Sequence, residues 1–259
     1  MDRKSFDARM RALECFHYLR LLPATWVVVR VDGRAFTRFT ASRFQKPFDA
    51  AFHDLMVRTA RTLLEELQGC YAYTASDEIS VLLARDWALF DRKLEKVVSI
   101  SAAIASATFT HLCSVPVHFD SRIWLGAEDV LVIDYFRWRQ AEATRCALHS
   151  WCYWTLRRAG KSATEATAAL AAISVAEKNE LLFQHGINFN DLPAWQRRGT
   201  GLYWEHYTKE GYDPIQQRPV LATRRRLKVD QELPVRDAYA ELLRRIIRTH
   251  RASSCSPTS

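Results

Sequence analysis

Cys-x-x-Cys pairs are missing from this chain, and its six cysteines (15, 70, 113, 146, 152 and 255) follow no regular interval. That spacing supports neither a zinc site nor a disulfide framework, and reduced, packed thiols are expected instead. Glycine is scarce, eight in 259 residues, while 48% of the chain is apolar, which excludes a linker or a disordered array. No uninterrupted apolar run reaches the roughly 18–20 residues of a membrane helix. The opening Met-Asp-Arg-Lys-Ser-Phe-Asp has no apolar core behind it, as a signal peptide would. The expectation is a cytoplasmic protein without a membrane partner. Acidic residues are the minority charge, 29 against 37 Lys and Arg, for a net +8. The excess gathers at Arg137/Arg139, Arg157/Arg158/Lys161, Arg197/Arg198, Arg224/Arg225/Arg226/Lys228 and Arg244/Arg245/Arg248, with aromatics near most of them. A polyanionic partner, nucleic acid, fits that pattern better than solvated helix faces alone.

What the chain does have begins with a buried strand. Trp26-Val-Val-Val-Arg-Val runs into Asp32-Gly33 and a basic, aromatic loop. Residues 5–22 carry Phe6, Met10, Leu13 and Phe16 near helical spacing, which predicts a helix stopped by Pro23. A second amphipathic helix is predicted over 48–67, closed by Gly69. Strands follow at 71–74 and 78–84 around a tight turn, Ala75-Ser-Asp77. A small-residue helix comes next over 90–113, and a strand over 116–124. The order contains β-α-β-β-α-β, the ferredoxin-like split unit, so the fold class is α+β. The second half reads as largely helical: a long helix from Tyr135 to Arg158, and another opened by the capping box Ser162-Ala-Thr-Glu165. A strand pair at 201–208 and 219–229 precedes a terminal helix over 237–250. Two domains are expected, 1–134 and 135–252, with 253–259 as a disordered tail.

That topology sets the first strand beside the hairpin, so Asp32 and Asp77 can meet although 45 positions separate them. Two such carboxylates suit two Mg²⁺ ions, which take oxygen ligands and complete their shells with substrate phosphates. Spacing alone leaves the alternative open that Asp32 caps a turn.

Several co-linear phrases carry the argument further: Val29-Arg-Val-Asp-Gly-Arg-Ala-Phe36, Phe44-Gln-Lys-Pro47, Ser76-Asp-Glu78, Phe119-Asp-Ser-Arg122, Trp138-Arg-Gln140, Lys178-Asn-Glu-Leu-Leu-Phe183 and Ile187-Asn-Phe-Asn190. Their order resembles the tRNA(His) guanylyltransferase family, template-dependent polymerases that extend RNA 3′-to-5′, from about Met10 to Leu233. The resemblance implies a core like the palm of polymerases and nucleotide cyclases, and a homotetramer. It also implies Asp32, Asp77 and the Gly33 carbonyl as ligands of two Mg²⁺, with Glu78 supporting catalysis. By the same matching, Arg30, Gly33, Arg34, Ala35, Phe36, Lys46, Ser76 and Lys96 would bind the nucleotide and its triphosphate. Arg137, Arg139, Arg145, Arg197 and Arg198 would contact tRNA.

The implied reaction activates a tRNA 5′-monophosphate with ATP. The 3′-hydroxyl of GTP or another NTP then attacks the adenylylated end. Family members dedicated to tRNA(His) carry three asparagines after Trp-Arg-Gln, where this chain has Cys146, Ala147 and Ser150. A histidine often found after Asp-Gly-Arg-x-Phe is Thr37. These departures point to the bacterial-type branch and to templated repair of truncated 5′ ends. The alternative is a dedicated enzyme adding one G to tRNA(His). A nucleotide cyclase and a non-catalytic tRNA-binding protein are remoter readings.

Some candidates keep plainer readings. His53-Asp54 reads as a surface dipeptide, Lys178-Asn179-Glu180 as helix packing, and most aromatics of 135–154 as core rather than RNA-stacking groups.

Overall fold

The computed structural model describes residues 3–213 and 217–254. Its centre is a six-stranded sheet built from β1 (Trp26–Gly33), β2 (Tyr71–Ala75), β3 (Glu78–Leu83), β4 (Phe119–Gly126), β5 (Thr200–Asp213) and β6 (Arg218–Asp230). The strand order is β4-β1-β3-β2-β5-β6, with every neighbouring pair antiparallel. The first four strands form the ferredoxin-like β-α-β-β-α-β unit that the element order predicted. β5 then extends that same sheet along β2, so residues after 199 share hydrogen bonds with the first half of the chain. The division expected between residues 134 and 135 falls inside one continuous helix, α5 below.

Alternation along β1 gives the sheet its two faces. Val27, Val29 and Val31 enter a core with α3 (Ala50–Glu66) and α4 (Leu94–Cys113). A phenylalanine cluster seals it: Phe36, at the start of the short helix α2 (Phe36–Ala41), lies 5.0–6.1 Å from the rings of Phe39, Phe52, Phe109 and Phe119. Trp26 and Val28 face the other way, toward α5 (Asp129–Arg158) and α9 (Arg236–Ser254). That second core is rich in tyrosine, and its buried hydroxyls need partners. The Tyr71 and Tyr239 hydroxyls bond at 2.9 Å, and the Tyr73 hydroxyl donates to the Arg198 carbonyl at 2.9 Å. A third cluster joins the lower half of α5 to α6 (Ala163–Leu170) and α7 (Val175–Gln184). Both of those helices open with a complete capping box, Ser162/Glu165 and Ser174/Glu177.

Several boundaries differ from expectation. The predicted helix 5–22 stops as α1 (Arg3–Ala12), followed by a 3-10 turn over Cys15–Tyr18. Its apolar stripe is not buried among the described residues: α1 has no buried residue, and Leu13 and Phe16 are each 73% exposed. Without tertiary burial, an isolated helix of that length does not offset its nucleation cost. Residues 253 and 254 continue α9, and the remainder of the expected tail lies outside the described residues. α4 is, by length and composition, apolar enough to cross a membrane, which counting unbroken apolar runs missed. Here its Val97, Ser101, Ala105 and Phe109 pack on the sheet.

Candidate active site

β1 delivers Asp32 to the end of the sheet where β2 turns into β3. Cross-strand register sets Asp32 opposite Glu78 on one side and Asp120 on the other. The turn itself is two residues, Ser76 and Asp77. Ser76 holds φ 55, a left-handed backbone that costs a non-glycine residue on the order of 1 kcal/mol. Its hydroxyl donates to the Asp77 carboxylate at 3.0 Å. The Gly33 N–H donates to the Asp77 carbonyl at 3.1 Å, which ties the turn to the strand carrying Asp32. Gly33 is required there, because a Cβ would sit 2.4 Å from the Phe36 ring. The chain thus brings Asp32 and Asp77 into the wall of one cavity of about 250 Å³.

The electrostatics of that pair are unfavourable without a cation. Burial, then the charges of Asp77 and Asp120, push the Asp32 carboxyl above its usual range. Burial also raises Asp77, and Glu78 adds to it, opposed by the Ser76 hydroxyl and by Lys46. Two carboxylates held together against mutual repulsion form an all-oxygen donor set of the kind Mg²⁺ takes. No group of three or more His, Cys, Asp or Glu among the described residues is placed to hold a metal, so such a site would complete its shell from solvent or substrate.

Glu78 lines the same cavity, but its carboxylate is already paired. It receives two hydrogen bonds from the Arg139 guanidinium, at 2.8 and 2.7 Å, and both side chains are only 14% exposed. Arg139, expected on the RNA surface, is therefore committed to bracing α5 against β3. The partners of the other expected RNA contacts are also local. Arg137 pairs with Asp134 at 3.8 Å and Arg145 with Glu142, which is held down to about 2 by that contact. Arg197 and Arg198 donate to the Leu192 and Leu233 carbonyls, both at 2.8 Å.

A larger cavity, about 430 Å³, opens on the β2 side of Asp77, a size typical of small-ligand sites. Its walls come from α2, the loop 44–49, α3, the 74–77 turn and the far end of α5. The loop is fixed by Asp49, which caps α3 through the N–H groups of Ala51 and Phe52 and accepts from the Gln45 N–H at 2.8 Å. Lys46 projects into the cavity, its ammonium donating to the Thr40 hydroxyl at 2.5 Å, while Arg158 donates to the Lys46 carbonyl. Burial lowers the Lys46 pKa, with Asp77 acting in the opposite sense. Ser76 and Lys46 thus share a cavity with Asp77. The Phe36 ring is core; only one edge of it meets the cavity. Ala35, at φ 59, turns the chain into α2, and Arg34 donates its N–H to the His118 carbonyl at 2.9 Å. Arg30 lies on the α5 face of β1, beside Trp138. Lys96 is not brought to the cavity: it is exposed on α4, across the sheet from Arg139.

Some site residues carried no local signal. His53, expected at the surface, lines the larger cavity. Its ring stacks on Trp195 at 4.2 Å and its Nε2 lies 2.8 Å from the Thr200 hydroxyl. Burial lowers its pKa to about 4, so the ring is neutral near pH 7. Trp195 lines both cavities. Asp120, opposite Asp32 across the strands, pairs with Arg122 at 3.0 Å. Cys146, Ala147 and Ser150, the positions of the missing asparagines, line the cavity containing Asp32 and Asp77. The departure thus lies in the wall of the cavity that holds the two carboxylates.

Comparison with known proteins follows the same geometry. The family model described as tRNAHis guanylyltransferase matches residues 7–127, and that described as Thg1 C terminal domain matches 130–243. A tRNA(His) guanylyltransferase of Debaryomyces hansenii is 34% identical over 230 residues, covering 82% of this chain and 86% of the relative. The chain belongs to the tRNA(His) guanylyltransferase family. A second relative, tRNA(His) guanylyltransferase 2 of Arabidopsis thaliana, is 36% identical over 196 residues. That match takes in 71% of this chain but only 36% of the plant protein, so the chain spans about a third of that relative's length. Among solved structures, a bacterial tRNA(His) guanylyltransferase (Thg1)-like protein in complex with ATP superposes with a TM-score of 0.73 at 26% identity. It covers 93% of this chain and 99% of that one. The tRNA(His) guanylyltransferase of Saccharomyces cerevisiae gives 0.66 at 27% identity, over 71% and 87% of the two chains. The palm-like α+β fold is shared with these enzymes.

Proposed function

We propose that this protein transfers a nucleotide to the 5′ end of tRNA, using ATP for activation and GTP or another NTP as the nucleotide added. The observation that carries the reading is the pair Asp32–Asp77, held at the junction of two cavities with Lys46 in one wall. Asp32, Asp77 and the Gly33 carbonyl are the groups that would hold two Mg²⁺. Bound there, the ions would activate an attacking hydroxyl and neutralise charge on the leaving phosphate. The rest is done by the chain itself. Lys46 offsets phosphate charge, Ser76 orients Asp77, and the walls around Phe36, Phe44 and Trp195 exclude water from the transferring group. Family relatives are named for guanosine addition to tRNA(His), which favours that substrate.

A second reading, templated repair of truncated 5′ ends, is favoured by the cavity wall at Cys146, Ala147 and Ser150. That wall lacks the three side-chain amides of the dedicated enzymes. One assay addresses both readings. tRNA lacking its first nucleotide is incubated with ATP, GTP and Mg²⁺, with native and swapped anticodons. Absence of extension by the wild type, or undiminished extension by Asp77→Ala, would remove the proposal. Extension only with the GUG anticodon selects the dedicated activity, and indifference to the anticodon selects repair.

A further inference from the structure

Most aromatics of α5 are buried or half-buried; Trp138 is 53% exposed. The ring is nonetheless fixed. The Arg139 guanidinium lies 4.5 Å from its centroid, that of Arg30 lies 5.9 Å away on the β1 side, and Tyr135 meets it edge-on at 5.9 Å. Each holder is itself held. Arg139 is locked to Glu78, and the Tyr135 hydroxyl bonds the Ser80 hydroxyl at 3.0 Å. Arg30 keeps a buried Nε without a hydrogen-bond partner among the described residues. An indole held rigidly in water by two cations has already lost its conformational freedom, so a flat ligand stacking on it loses little more.

Position decides which ligand. Arg30 and Arg122 are cross-strand partners, as are Asp32 and Asp120 two residues along. Arg139, 4.5 Å from the indole, lines the cavity that holds Asp32 and Asp77, so the indole adjoins a wall of that cavity. The larger cavity lies on the β2 side, and its α5 wall starts at Ser150, about 18 Å along the helix from Trp138 at 1.5 Å per residue. In the proposed step the RNA end carries the reacting phosphorus, with the attacking NTP oxygen and the departing AMP oxygen in line across it. RNA end and NTP therefore occupy separate sites around the carboxylates. With the nucleotide-sized cavity on one flank of the carboxylates, the acceptor strand comes over the other.

We infer that Trp138, steadied by Arg30 and Arg139, offers its exposed surface as the stacking platform for the terminal nucleobase of the RNA acceptor. This rests on the function proposed above. Every base offers a π-face, so the platform positions the end without reading its sequence, and the Arg30 guanidinium beside it suits a polyanion. Trp138 is here a positioning residue for substrate rather than a participant in bond making.

The test uses the full-length protein and a tRNA shortened by one nucleotide, with 2-aminopurine at the new 5′ end. Wild type and Trp138→Phe are expected to quench the fluorophore on binding. Trp138→Leu loses the quench and raises the KM for tRNA about tenfold, the usual scale for one stacked base, while the KM for GTP stays unchanged. Unchanged quenching and tRNA KM in folded Trp138→Leu overturn the inference. So does a variant that breaks up an oligomer, seen by light scattering, with equal losses toward tRNA and GTP. If wild type quenches through Trp138 yet adds no nucleotide, the proposed function fails and the platform stands.

Discussion

The two faces of the central sheet solve different problems with the same strands. Toward α3 and α4 the core is aliphatic and phenylalanine-rich, and Phe36 closes it next to Gly33. Toward α5 and α9 it is built from tyrosines, a buried glutamine and the Glu78–Arg139 pair, each satisfied by a specific bond. Apolar contacts stabilise without fixing direction, whereas hydrogen bonds fix direction and contribute little net energy. Both faces bury apolar side chains, and the second adds directional bonds that aim groups at the Asp32 end of the sheet.

The sharpest way to break that division is Asp77→Asn, which keeps shape and removes a charge. Transfer activity is expected to fall about a thousand-fold or more, since charge stabilisation at such sites supplies several kcal/mol. Thermal stability should hold or rise, because the substitution relieves the repulsion with Asp32. A parallel fall in melting temperature would show Asp77 to be structural. On the other face, Phe36→Ala should cost about 3–5 kcal/mol in denaturant unfolding. A smaller loss would mean that Phe39 and Phe109 collapse into the gap. Between these lies the Glu78–Arg139 pair. Arg139→Leu should destabilise by about 3 kcal/mol by stranding a mostly buried carboxylate, and adding Glu78→Gln should recover much of that. Strictly additive effects would show that the bidentate contact is not coupled.

The smallest expected effect is in pH. His53 titrates near 4 in the folded protein against an ordinary 6.5, so the unfolded chain binds the proton more readily between those values. Its contribution to stability is fully present above the ordinary value and is lost as pH falls from 6.5 toward 4. His53→Phe should flatten that part of the stability–pH curve measured by chemical denaturation. An unchanged slope would assign it to other groups.

How far the sequence reached can be seen at particular residues. The 26–31 strand, the 71–84 hairpin and the helices around them were legible because apolar runs and 3.6-residue periodicity are local signals. The Ser162 capping box was read, while the identical device at Ser174 and Glu177 was present and passed over. The N-terminal stripe misled, since periodicity records an apolar face but not whether anything covers it. The pairing of Arg139 was illegible for a similar reason: a basic residue in a basic cluster reads as surface, and only packing shows its contact with Glu78.

The sequence by itself determined the strands and helices, the identity of the two carboxylates, and the likeness that made their pairing an expectation. Tertiary structure alone decided that Glu78 braces α5 and that His53 and Trp195 wall a cavity. It also decided that Lys96 stands exposed on α4 and that Trp138 remains exposed beside Arg30 and Arg139. The physical reason is range. Propensity, periodicity and capping act within a few residues of chain. The Glu78–Arg139 ion pair and the His53–Thr200 hydrogen bond join residues 61 and 147 positions apart, and only packing brings them together.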